Sequence, residues 1–506
     1  MKKIIIYISL LALLLGAVSC DDFLIRGPID QIGEVDFFKN TDEVNQGVMA
    51  CYNGMQDPTD VEWYLTELRS DNSRGNSPTA QSLSDIFLLD MFKAYPAHTT
   101  INTYWEAVYH NISRCNKVLK YLNVVDDATL KKQYEGEAMF IRSYHYFSLV
   151  RLFGPVFKVT SNITYEEAAK YERSSVDDIY SFIIEDLNKI IDANEPLLPE
   201  TYESSQKGRV DIWAAKTLLA KVYLTLGRYS DALPLLEDVK DHSGYKLLTS
   251  SYADVFSVSN EMNDEIIFTV RYKAGGYGLG SRFANEFAPG NSYTAVITGG
   301  GDGRNTPTED LVRAYESGDK RKDVTMAYSW VNPSNVTVYV SYVKKFLAPV
   351  LTKYDGENDW PILRFADVLL MLGEVENELS GASAGLPYLN QIRNRAGLPS
   401  LTSAQITNKV EFRLAMEKER RVEFAFENQR LFDLLRTKRI VPVMKNHFLT
   451  EDYRDQGNGT VTSYYQKSTY QNTYLPNTDL EEWQFILPIP SRVLEQSTLA
   501  TQNPGY

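Results

Sequence analysis

The chain has 506 residues, 43% of them hydrophobic and 23% charged. That is the balance of a folded chain with a large core, so disorder is excluded as the default. The net charge of -14 at pH 7 argues against nucleic acid, which is bound by clustered Lys and Arg that displace counterions, and against electrostatic docking on anionic lipid. Tyrosine is abundant, with 33 residues. Its ring has an apolar face and a polar tip, which suits a half-wet surface as well as a core.

In chain order, Lys2 and Lys3 precede an apolar run over 4–18, too short to span a bilayer comfortably and placed as an export signal. The run ends in Ala17-Val18-Ser19-Cys20. Small residues before a Cys at this point form a lipobox, in which the thiol takes a diacylglycerol and the leader is cut away. The expectation is a signal peptide over 1–19 and a lipidated tether over 20–33, with Cys20 as the attachment residue. Multiple acyl chains, at about 0.8 kcal/mol per buried methylene, anchor stably. Membrane attachment is expected through lipid only. Cys51 and Cys115 remain and read as two buried free thiols.

The remainder, 34–506, reads as one domain in three parts. The first, 34–243, is helical. Residues 41–52 have helical character. Val108, Ile112, Cys115, Val118, Leu119 and Leu122 recur at helical spacing over 105–122. A second long helix is expected over 128–153, stopped by Gly154-Pro155. Trp213, Ala220, Tyr223, Gly227, Tyr229, Ala232 and Leu236 follow the small-and-large spacing of a tetratricopeptide helix pair. One such pair cannot bury its faces alone. Its expected neighbours are the hairpin over 105–153 and helices over 177–193, 362–380 and 384–396. The second part, 244–360, loses helical periodicity. Short β-like runs over 265–272 and 336–346 alternate with glycine-rich loops over 275–278 and 299–303. Long irregular loops in a helical protein usually carry function. The third part, 361–506, holds a charged helix expected from 411 to about 436, an irregular stretch over 441–485, and a proline-punctuated tail. The fold class expected is mostly α, with a tetratricopeptide-like scaffold and a loop-rich half containing short strands.

Catalytic and metal signatures are absent from the sequence. His98, His110, His145, His242 and His447 show no zinc-helix spacing, and there is no CxxC pair. No G-x-S-x-G elbow occurs. The 299–303 loop lacks the Gly-Lys-Ser/Thr ending of a phosphate loop. Neither a cofactor nor a catalytic residue is expected, and the chain is not expected to be an enzyme. Two acidic clusters, over 355–359 and 451–455, depart from EF-hand spacing and read as solvated turns. Glu417-Lys418-Glu419-Arg420-Arg421-Val422-Glu423-Phe424-Ala425-Phe426-Glu427 alternates charge. If helical, it would be buried on more than one face, and its charges would form a core ion-pair network.

Several segments resemble the SusD/RagB family. They are Pro361-Ile362-Leu363-Arg364-Phe365-Ala366-Asp367-Val368-Leu369-Leu370-Met371; Leu389-Asn390-Gln391-Ile392-Arg393-Asn394-Arg395-Ala396-Gly397-Leu398-Pro399; Glu419-Arg420-Arg421 with Phe426-Glu427; Arg430-Leu431-Phe432-Asp433-Leu434; and Gln502-Asn503-Pro504-Gly505-Tyr506. Upstream, Cys20-Asp21-Asp22-Phe23-Leu24 and Gly136-Glu137-Ala138 with Arg142-Ser143-Tyr144 resemble its opening and first hairpin. The resemblance implies a surface lipoprotein of the outer membrane. Such a protein captures oligosaccharides, or oligopeptides in the RagB branch, for a SusC-like TonB-dependent transporter. It also implies that ligand residues lie before the first hairpin and in the irregular part. The candidates are Asn72, Arg74 and Asn76 for polar readout, and Tyr277, Tyr293 and Trp330 as aromatic platforms. Trp330 reads first as a packed ring, and Tyr293 reads equally as a packed ring or a platform. No Trp lies between Trp63 and Trp105, a departure from the aromatic platform of the starch binder. As loop residues, Arg74 and Tyr293 are expected to tolerate alanine without unfolding.

Overall fold

The computed structural model describes residues 37–75, 85–454, 458–463 and 480–506. The expected signal peptide and tether, with Cys20, and the candidate Asn76 lie outside them. About half of the described residues are helical, with few short strands, so the expected fold class is the observed one.

The scaffold is a run of helices, each packed on the next. α1 (Thr41–Asn53) and α2 (Gln56–Thr66) lie on α3 (Thr99–Tyr121), which pairs with α4 (Ala128–Phe153). α4 starts at Asp127, whose side chain accepts from the Thr129 and Leu130 amides, and stops at Gly154, whose φ of 69° favours glycine. From Gly136 to Phe153 only Arg151 is not fully buried, because α1, α3 and α5 (Val176–Ile190) cover its sides. α5 packs on α6 (Ile212–Thr225), α6 on α7 (Tyr229–His242), and α7 on α8 (Phe365–Ser380). α8 turns at Gly381, φ 104°, into α9 (Ala382–Arg395). A Cβ at Gly385 would lie 2.4 Å from the Gly373 carbonyl oxygen, so bare backbone is what lets these two helices close. α10 (Lys409–Glu423) covers both.

A two-stranded antiparallel sheet joins the halves. β2 (Ile266–Val270) pairs with β8 (Trp360–Arg364) in the register Ile266 to Arg364 and Val270 to Trp360. The chain over 360–364 is therefore strand, and α8 begins three residues later than the expected helix. β1 (Ser73–Arg74) pairs with β3 (Thr306–Pro307). The β-like run over 336–346 resolves into two short hairpin partners. β4 (Met326–Ala327) pairs with β7 (Tyr342–Val343), and β5 (Trp330–Val331) with β6 (Thr337–Val338).

Two expectations in the last third are corrected. The charged helix ends at Glu423 and a new one, α11 (Arg430–Arg436), follows. Phe426 and Asn428 sit at φ 66° and 59°, a backbone that no helix propagates. Phe424 and Phe426 therefore both enter the core from a turn. Residues 440–450 form helix α12 (Ile440–Thr450) where irregular chain was expected. Its faces are buried at Ile440, Met444, His447 and Phe448.

The charges of α10 do form a buried network. Glu423 accepts from Arg321 at 3.0 Å, Arg364 at 2.6 Å and Arg395 at 2.5 Å. Burial alone would raise its pKa, but these cations outweigh burial and hold it well below the usual carboxylate range. Glu419 pairs with Arg321 and Arg393, and Glu427 with Lys345 and Arg364. Cys51 and Cys115 are buried and free, as expected.

Candidate functional site

The irregular half is organised by three consecutive residues, Lys353, Tyr354 and Asp355. The Asp355 carboxylate accepts from the Gly275 and Gly276 amides, both at 2.9 Å, which pins the 275–278 loop. Lys353 Nζ and the Tyr354 hydroxyl both donate to Asp302, at 2.8 and 2.7 Å, which pins the 299–303 loop. The Tyr354 amide donates to Asn285 Oδ1 at 2.9 Å, and Asn285 Nδ2 donates to the Thr298 and Gly300 carbonyls. Both glycine-rich loops thus pack on one stretch. Gly301 must be glycine-small, because a Cβ there would lie 2.4 Å from the Ala288 carbonyl oxygen. The 355–359 cluster is therefore a clamp between loops and not merely a solvated turn. Among the described residues, no group of three or more His, Cys, Asp or Glu side chains could hold a metal ion.

A chain of polar contacts runs from this stretch. Arg304 bonds the Tyr64 hydroxyl at 2.8 Å and Glu286 at 3.2 Å, and pairs with Asp302 at 3.5 Å. Arg282 bonds Glu286 at 3.3 Å, and its guanidinium lies 4.4 Å over the Tyr354 ring. Burial raises the Asp302 pKa, but the bonds from Lys353 and Tyr354 and the charge of Arg304 outweigh it, and the carboxyl stays ionised below its ordinary range. Glu286 sits deeper. Desolvation by burial wins there, and its pKa is raised despite Arg282 and Arg304.

Strain marks the same patch. Nine non-glycine residues among those described have positive φ, and two of them are tyrosines, Tyr293 at 47° and Tyr354 at 64°. A bulky residue in that region costs about 1–3 kcal/mol and persists where its surroundings hold it. Tyr293 is 67% exposed. A strained, solvent-facing ring contributes little to the core, so the strain points to a surface role.

The six ligand-binding candidates named from sequence meet different fates. Tyr277, like Tyr293, is strongly exposed. Their loops are brought together on 353–355. Asn72 and Arg74 are buried. Asn72 Oδ1 accepts from Arg421 at 2.8 Å, and Arg74 pairs with Glu451 at 3.1 Å. Glu451 also accepts from the Glu309 and Asp310 amides. The 71–74 segment is thus a seam between halves, because β3 pairs with its last two residues and α10 and α11 send Arg421 and Arg430 into Asp71. Trp330 is buried in the β5–β6 hairpin. Asn76 lies outside the described residues. Sequence reasoning passed over Arg282, Arg304, Lys353 and Tyr354. The one available signal was the Asp355-Gly356 turn dipeptide next to Tyr354.

Comparison with known proteins settles the family. A family model described as "SusD family" matches residues 331–506, and one described as "Starch-binding associating with outer membrane" matches 27–224. The chain belongs to the SusD/RagB family. It is 23% identical to SusD-like protein P25 of Formosa agariphila, covering 100% of this chain and 99% of that one. It is 25% identical to a SusD-like protein of Bacteroides ovatus, covering 88% and 85%. Among solved structures, a laminarin-binding SusD-like protein superposes with a TM-score of 0.75 at 24% identity, covering 92% of this chain and all of that one. Surface glycan-binding protein A of Bacteroides thetaiotaomicron, in complex with laminarihexaose, superposes with a TM-score of 0.72 at 21% identity, covering 91% and 99%. At these identities the structural likeness concerns the fold.

Proposed function

We propose that this chain is a surface lipoprotein of the outer membrane that captures oligosaccharides and passes them to a SusC-like TonB-dependent transporter. The observation that carries the reading is that the loops of the exposed Tyr277 and Tyr293 both pack on the 353–355 stretch, where Arg282, Lys353 and Arg304 gather round Glu286 and Asp302. Flat rings stack on the apolar faces of sugars, while guanidinium, ammonium and amide groups bond their hydroxyls. Two solved relatives of this fold are described as binding laminarin or laminarihexaose, which supports a glycan. The lipobox at Cys20 and the matching "associating with outer membrane" description support the location. The role is binding and not catalysis, and Tyr277 and Tyr293 form the ligand face in this reading, while the Tyr354 ring carries Arg282 and Lys353. Asn72, Arg74 and Trp330 are left out of it, because their side chains are buried.

A glycan array followed by calorimetry tests the proposal. At least one oligosaccharide should bind, and Tyr293→Ala should weaken it about tenfold, as loss of a stacked ring does. Peptides co-purifying with the protein, in place of sugars, would favour the RagB-type alternative. New reducing ends on incubation with a polymer would contradict a pure binding role.

A further inference from the structure

The charges of the candidate site are layered. Arg282, Arg304 and Lys353 have side chains 42%, 34% and 35% exposed, whereas their partners Glu286 and Asp302 are 3% and 12% exposed. The cations face water and the acids sit beneath them. In a protein of net charge -14, a patch whose outer layer is cationic is out of character.

Hydrogen-bonding capacity follows the same layering. Arg304 uses Nε and Nη1 on Asp302, Glu286 and Tyr64, and Arg282 uses Nε on Glu286. The other guanidinium nitrogens, Nη1 and Nη2 of Arg282 and Nη2 of Arg304, carry donors and no acceptors. The Asp302 oxygens accept from Lys353 and Tyr354, so the acid beneath is already engaged. What the patch offers a ligand is donors with positive charge, beside the ring of Tyr354 and the exposed ring of Tyr293.

A neutral sugar hydroxyl can accept from these donors but leaves their positive charge uncompensated. A carboxylate or sulfate is acceptor-only, and a planar guanidinium matches it in two parallel bonds. We infer that the ligand is an oligosaccharide bearing an acid group, held by Arg282, Arg304 and Lys353 while its rings lie against Tyr293. This rests on the proposed glycan-binding function and narrows it to a substrate class.

The experiment compares acidic oligosaccharides with their neutral counterparts by calorimetry: oligogalacturonate against its methyl ester, a sulfated galactan oligosaccharide against its desulfated form, and laminarihexaose as a neutral β-glucan. The acidic member of a pair should bind about tenfold more tightly or better, as charge-assisted bonds do. Arg282→Gln should collapse that preference, and Arg282→Lys should retain part of it. A preference in the sulfated pair alone also supports the inference and assigns the acid group as sulfate. Should Arg282→Gln fail to fold, a salt titration of the unaltered protein makes the same test. Added salt should weaken the acidic ligand and spare the neutral one. Equal binding within every pair, with no salt dependence, overturns the inference and leaves glycan binding standing. If no carbohydrate binds, both fall.

Discussion

Arg74 and Tyr293 stand in loops of similar composition, rich in Asn, Gly and Ser, yet their side chains meet opposite environments. Arg74 is 4% exposed and paired with Glu451, whereas Tyr293 is 67% exposed. Removing one partner of a buried pair leaves a buried charge uncompensated and costs about 3–5 kcal/mol. Arg74→Ala should therefore lower the urea midpoint strongly, against the expectation from sequence, while Tyr293→Ala should stay within about 0.5 kcal/mol of the parent. Buried acids divide in the same way. Burial raises the Glu67 pKa to about 8, only partly offset by the Asn428 amide and Lys345. Folded Glu67 holds its proton where the unfolded chain, near 4.5, has lost it. Its contribution is thus fully present below pH 4.5 and is lost as pH rises to about 8. Asp71 is the reverse. Burial is outweighed by Arg421 and Arg430, its pKa is held well below 3.8, and its contribution is lost on acidification. Unfolding curves taken across pH should show Glu67→Gln flattening the loss on the alkaline side. An unchanged slope in that variant would contradict the assignment.

At the scale of elements, helices were legible where one periodic face meets one neighbour. α4 runs over 128–153, as expected from its pattern and the Gly154 stop. Legibility failed where tertiary contacts decide. The 417–427 charges read as a buried network, but the helix end at Glu423 depends on left-handed Phe426 and Asn428, which nothing local announces. The 71–76 loop read as a polar surface because Asp, Asn, Ser and Arg usually are. Arg421 and Arg430 cover Asp71 from some 350 residues away, a distance no local pattern spans. The candidate site was half legible. Tyr277 and Tyr293 stood out in glycine-rich loops, whereas Lys353 and Tyr354, which join those loops, carry no motif. That junction can be tested at Gly301. A Cβ there meets backbone of Ala288 and Pro289 at 2.4–2.6 Å, with no flexible side chain to yield. Gly301→Ala should cost about 1–3 kcal/mol, as overpacking does. It should also weaken ligand by displacing Asp302 from Lys353 and Tyr354. Calorimetric melting and ligand titration on the same sample would separate the two effects, and full affinity in a destabilised variant would show that the 299–303 loop does not shape the site.

At the scale of the whole molecule, capture and delivery pull against each other. A protein that only bound its ligand would withhold it from the transporter. The proposed solution is a lid in which ligand touches both proteins when closed, so that differential affinity for the closed state drives closure. That arrangement needs the lid to stay near its partner when open. A lipid at Cys20 and the segment over 20–33 would supply this by keeping the effective concentration of the partner face high. The site residues must then face the transporter, with the helical scaffold behind them. The last prediction follows from separating the two roles. Cys20→Ala should abolish acylation and leave purified protein with unchanged affinity for its glycan, because none of the proposed site residues belongs to the segment over 1–33. Uptake by cells should nonetheless fall, since the lid is no longer held at the barrel. Tyr293→Ala should do the opposite, keeping the protein at the membrane while affinity and uptake decline together. Membrane fractionation, calorimetry and uptake of a labelled oligosaccharide, measured on both variants, decide the matter. If cells carrying Cys20→Ala take up ligand at the parental rate, tethering has no part in delivery.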